Sequence, residues 1–198
     1  MFVSAIAVCL TLVTSAGAQE FRVETAPSYL TSESTATFAN ASNATKIECG
    51  EAAYWGTMAA TAAKQIQISA QFSKCWTNFG QQVSIHMNGC YFLWGAPAEA
   101  GKTGTVQIGC PATQKVEFTA GSCTAKANPQ ALGNGATYAN YGEKSARDFV
   151  SSISATGIDY ELSPSTCTLT FGSGSDGTLI SSPTVRGFNA GFLGAWVS

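Results

Sequence analysis

His86 is the only histidine in the sequence, so any Ser-His-Asp or Cys-His mechanism has to run through it. It sits between Ile85 and Met87 in an alternating stretch, on the face opposite both, where a surface or inter-sheet histidine is expected. No Gly-x-Ser-x-Gly nucleophile elbow accompanies it. Glycoside hydrolysis asks for less, two acids about 5 to 10 Å apart in space. Glu48 with Glu51 and Asp159 with Glu161 are the candidate pairs, and the second pair faces outward on one strand as solvated residues do. Gly172-Ser173-Gly174-Ser175-Asp176-Gly177 has the spacing of a dinucleotide fingerprint. That site needs a following helix, whereas Thr178 to Val185 is β-branched and interrupted by Pro183, so a flexible hairpin loop is expected instead. Aromatic chemistry is the richest remaining option. Trp55, Trp76, Trp94 and Trp196 join Tyr91, Phe92, Tyr138 and Tyr141, and exposed ring faces can stack on the C–H surfaces of sugars. Trp76, Tyr138 and Tyr141 lie near turns and are the expected members of a carbohydrate platform.

Seven cysteines are present, of which Cys9 falls in the apolar leader. The remaining six are Cys49, Cys75, Cys90, Cys110, Cys123 and Cys167, an even number that reads as a disulfide framework. A metal site is not expected, since there is no Cys-x-x-Cys pair and a single histidine. Fifteen connectivities are open to six cysteines. The sequential pairing Cys49–Cys75, Cys90–Cys110 and Cys123–Cys167 is favoured, because each pair ends or begins a strand-like run and the first two close hairpin-sized segments.

The elements that must position these residues are strands. Ile66, Ile68, Ala70 and Phe72 share one face against Gln65, Gln67, Ser69 and Gln71, the period of two of a half-buried strand. The same alternation recurs at Val83 to Met87, Val106 to Cys110, Val116 to Phe118, Ile158 to Leu162 and Cys167 to Phe171, with Asn88-Gly89 as a left-handed turn or bulge. Glu143 to Ser152 lacks a clear apolar stripe and reads as a strand with a polar start rather than a helix. Gly95 to Gly104 and Asn128 to Gly142 are the longest stretches without strand pattern and read as loops, the first places to look for binding. The expected fold is all-β, a β-sandwich of immunoglobulin-like or jelly-roll type with three disulfides.

Residues 1–18 are apolar or small and end in Ala16-Gly17-Ala18, the pattern of a secretory signal peptide, although no basic residue precedes the apolar core. A buried N-terminal strand is the alternative reading, and a lipid anchor at Cys9 is disfavoured by Val8 and the apolar run beyond it. No later stretch has membrane length, so no transmembrane segment is expected. Residues 19–45 read as a lead-in and edge strand, and 46–198 as the disulfide-stapled β domain. Asn40-Ala41-Ser42 and Asn43-Ala44-Thr45 match the glycosylation acceptor pattern by chance. Charged residues make up only 11% of the chain and the net charge is −2, scattered singly, which leaves no footprint for nucleic acid.

Several segments together resemble a known group. Cys49 through Ala53 to Trp55-Gly56-Thr57, Met87-Asn88-Gly89-Cys90-Tyr91-Phe92-Leu93, Ile108-Gly109-Cys110-Pro111, Gly121-Ser122-Cys123 and Gly187-Phe188-Asn189 are similar to segments of exported bacterial six-cysteine β domains with no established activity. The resemblance implies export, disulfides and β architecture, and it carries over no catalytic or binding residue. The expectation is therefore a secreted or cell-surface domain, structural or recognitive and not an enzyme, with no cofactor and an extracellular glycan or protein ligand. A carbohydrate-binding module is the first alternative, and a small acid-pair glycoside hydrolase the second.

Overall fold

The computed structural model describes residues 18–40, 45–99, 102–141, 148–163, 167, 174–189 and 194–198. Residues 1–17 of the expected leader, Asn43, residues 168–171 of the expected Cys167 to Phe171 strand, Gly172 and Ser173 lie outside them. Fifteen strands follow in chain order: β1 (Phe21–Val23), β2 (Ser28–Asn40), β3 (Lys46–Met58), β4 (Ala62–Ala63), β5 (Gln65–Thr77), β6 (Gln82–His86), β7 (Tyr91–Gly95), β8 (Gly104–Gly109), β9 (Val116–Ala120), β10 (Cys123–Ala127), β11 (Gln130–Tyr141), β12 (Asp148–Ser163), β13 (Gly174–Ser181), β14 (Thr184–Phe188) and β15 (Ala195–Val197).

All-β architecture is as expected, but the sandwich is not. The main sheet closes on itself, because β10 pairs with β12 and β5 with β7 in addition to the path through their other neighbours. Four strands, β2, β3, β5 and β12, run the full height of the resulting barrel. The other four positions around it are each filled by two short strands laid end to end. β6 and β7 both pair with the same side of β5, at Cys75–Trp76 and at Gln65–Ile68 respectively. Likewise β9 pairs with β6 while β8 pairs with β7, and both β10 and β11 pair with β12. β13 and β14 then share the gap between β12 and β2 and complete eight positions in antiparallel succession. Closure removes the sheet edges, which a sandwich would leave open.

Three of the four breaks have a local chemical cause. Asn88 and Gly89 both take positive φ, 51° and 78°, and the Cys90 N–H donates to the Met87 carbonyl at 2.7 Å, a tight turn between β6 and β7. Pro129 and Pro183 have no N–H to offer the ladder and fall between β10 and β11 and between β13 and β14. Two expectations need correction here. Asn128 to Gly142 is largely strand β11, not a loop: Gly133-Asn134-Gly135, with positive φ at Asn134 and Gly135, makes a bulge that disguises the inward Leu132 and Ala136. β2 is not an edge strand either, since β3 flanks one side and β13 with β14 the other.

The three disulfides join Cys49 to Cys75, Cys90 to Cys110 and Cys123 to Cys167, the sequential pairing. Cys49 and Cys75 are direct cross-strand partners on β3 and β5. Cys90 and Cys110 stand where two neighbouring positions are interrupted, and so tie the broken part of the wall. Inward residues are mostly apolar, with Ser32, Asn40, Ser151 and Ser181 among the buried polar exceptions; outward ones include Thr31, Glu33, Gln67, Gln71, His86 and Glu161, unlike the apolar outer band of a membrane barrel. No helix among the described residues is long and apolar enough to cross a membrane.

Candidate functional site

Interior packing differs between the two halves of the barrel. In one half the space is filled by Trp94, Leu30, Ile68, Val106, Phe149 and Ile153, all fully or almost fully buried. A small separate sheet, β15-β1-β4, plugs that end. Phe21 of β1 is completely buried and meets Tyr138 edge-on at 5.0 Å and Phe149 at 5.7 Å. Asn140 fastens the plug to the wall, accepting from the Val197 N–H at 2.8 Å and donating to its carbonyl at 2.6 Å.

The distal half is built differently. Phe38 stacks edge-on with Phe72 at 5.1 Å and with Phe118 at 5.0 Å, but the inward residues of β10 facing them are Ala125 and Ala127, and Gly177 of β13 has no side chain. Small residues opposite large rings leave a half-enclosed cavity of about 60 Å³. Its lining is almost entirely apolar, with Phe38, Ile47, Phe118 and Ile158 as the bulky members. Three polar side chains, Tyr160, Asn40 and Thr178, punctuate it. Tyr160 donates its hydroxyl to Asp176 Oδ1 at 3.0 Å, and burial together with that carboxylate pushes the phenol up to about 12, so it stays protonated. Asn40 is 8% exposed, and its Oδ1 is buried without a hydrogen-bond partner among the described residues. That burial also removes the first glycosylation acceptor from the surface.

The residues singled out in the sequence do not meet in one place. Trp76 is 49% exposed on the outer face of β5 in the distal half, beside Gln82 in register. Tyr138 is at the plugged end with its ring among Phe21, Trp94 and Phe149, so it is no part of an outer platform. Tyr141 ends β11 at that same end, opposite Asp148. The expected platform of Trp76, Tyr138 and Tyr141 is thus dispersed over two ends of the barrel. A different aromatic group does assemble outside: Tyr29, 63% exposed, stands opposite Phe188, while Trp55, 45% exposed, stands opposite Thr31 one step along the same face. Cross-strand register, which single-strand periodicity does not carry, is what brings these together.

None of the candidate acids lines the cavity. Glu48 pairs with Lys46 at 2.6 Å and Glu161 with Lys115 at 3.2 Å. Glu51 bonds Lys74 and Ser73, and the Lys74 ammonium first of all holds its carboxyl below the usual range. His86 lies outward in register with Glu117, whose carboxyl is lowered chiefly by Lys126 at 2.9 Å. Gly174 to Gly177 form the start of β13, so the glycine-rich motif runs into a strand and not into a helix. The chain matches no family model, no curated protein and no solved structure.

Proposed function

We propose that this chain is an exported, non-enzymatic recognition domain that holds part of a small ligand in the distal half of the barrel. The observation that carries this reading is the asymmetry of the interior, solid and plugged at one end and hollow between Phe38, Phe118 and the β10 alanines at the other. A barrel built only for stability gains by filling its core, since each missing group forfeits packing energy. Three disulfides support a place outside the reducing cytoplasm, as does the six-cysteine order that resembles exported bacterial β domains. Titrating the isotopically labelled protein with 3-methylbutan-1-ol is the direct test. Amide signals of Phe38, Phe118 and Ile158 should shift saturably, and Ala125→Leu, which fills the space, should abolish the shifts while leaving the rest of the spectrum in place. Absence of any saturable shift in the parent protein sinks the reading.

A second reading rests on the outer face of β2, β3 and β14. Tyr29, Trp55 and Phe188 there are interleaved with Thr31, Thr57 and Ser69, neutral hydrogen-bonding side chains that suit a sugar ring. On a glycan array, retention that falls at least about tenfold in Trp55→Ala would support this surface, a loss of about 1.4 kcal/mol; silence across the array would retire it.

A further inference from the structure

Resting on the cavity reading, we infer that the ligand is an uncharged molecule whose apolar end fills the distal cavity and whose hydroxyl or N–H donates to Asn40 Oδ1. The argument begins with size. About 60 Å³ is well under half of the roughly 150 Å³ of a cavity that takes benzene, which suits the tip of a short alkyl chain and not a whole ring system. The remainder of the molecule therefore extends out through the open side.

Polarity comes next. Among the described lining side chains only Asn40, Tyr160 and Thr178 carry polar atoms, and two of these already donate: Tyr160 to Asp176, and the Thr178 hydroxyl to the Ala39 carbonyl at 3.1 Å. Asn40 Oδ1 is the acceptor left over, and a buried acceptor without a donor is costly. Unpartnered polar atoms also occur in the plugged half, at Ser32 Oγ and Trp94 Nε1, but the space beside those two is closed. Asn40 differs in bordering a space that a donor can reach.

Charge completes the selection. Among the described residues no cationic side chain lines the cavity to compensate an anion, and the Asp176 carboxylate stands at the Tyr160 side. A carboxylate tip would lose its hydration without gaining a partner. An ammonium would meet no carboxylate among the described lining side chains, since Asp176 is spent on the Tyr160 hydroxyl, and Asn40 offers only one neutral amide.

The test compares three probes of one shape, 3-methylbutan-1-ol, its methyl ether and 3-methylbutanoate, by the same amide titration. The alcohol should bind at least about tenfold tighter than the ether, the loss expected when a buried acceptor stays unpaired, and the carboxylate should bind weakest. Asn40→Leu should erase the alcohol preference while ether binding persists. Equal affinity for alcohol and ether in the parent protein, or tighter binding of the carboxylate, overturns this inference and leaves the cavity reading standing. Failure of all three probes overturns both. Since the parent comparison needs no variant, the result stands even where Asn40→Leu does not fold.

Discussion

Tyr54 shows how one hydroxyl can hold three strands. It donates to Ser181 Oγ at 2.8 Å, which in turn donates to the Thr35 carbonyl at 2.8 Å and lies 2.9 Å from Ser34 Oγ, so β3, β13 and β2 share one buried chain of bonds. Burial pushes this phenol up to about 12, from an ordinary value near 10. The folded state therefore disfavours the phenolate. Its contribution to stability is complete below about pH 10, where the unfolded chain keeps the same proton, and is lost as pH rises through about 12. Tyr54→Phe should cost about 1 to 2 kcal/mol near neutral pH by leaving Ser181 short of a donor. Denaturant midpoints measured from pH 8 to 12 should also fall less steeply for the variant than for the parent. At this scale the sequence was partly legible. The cysteine pairs followed from the strand runs that flank them, whereas Asn40 was visible only as an acceptor motif, because its burial depends on β13 lying beside β2.

Among the elements, the interrupted strands are where stability is most exposed to a single change. β6 to β7 and β8 to β9 break side by side, at Met87 to Cys90 and at Cys110 to Lys115, so the wall there lacks a continuous ladder. Cys90–Cys110 spans that breach and closes a loop with a sequence separation of 20. Replacing both cysteines by alanine should cost about 3 kcal/mol by restoring freedom to the unfolded chain. Urea unfolding checks the value, and hydrogen exchange should show the amides of β6 and β9 opening first. Period-two alternation located β5, β6 and β9 from sequence, since their inward residues are bulky. It missed β11, where Gly133-Asn134-Gly135 breaks the rhythm, and it gave no sign of the hollow, because the inward Ala125 and Ala127 of β10 are too small to register as an apolar stripe. A run of inward alanines opposite phenylalanines was the available signal.

Taken as a whole, the molecule is a barrel with one end sealed, and the seal is as much a part of the fold as the wall. Phe21 is the stopper: fully buried and in contact with two rings, it joins a three-strand sheet to the main core. Phe21→Ala should destabilise the protein by about 3 to 5 kcal/mol. A calorimetric melt that moves by only a degree or two would show that the small sheet contributes little. Closure itself could not be read from sequence, because strands of a sandwich and of a barrel alternate in the same way and differ only in which strand meets which. The plug has one more implication. Glu20 and Ser198 exchange backbone hydrogen bonds at 2.7 and 3.0 Å, so both ends of the described chain leave the barrel side by side, through its sealed floor. Anything joined to either end grips the molecule as a hand grips a flask by its base, with the hollow half turned toward the surroundings.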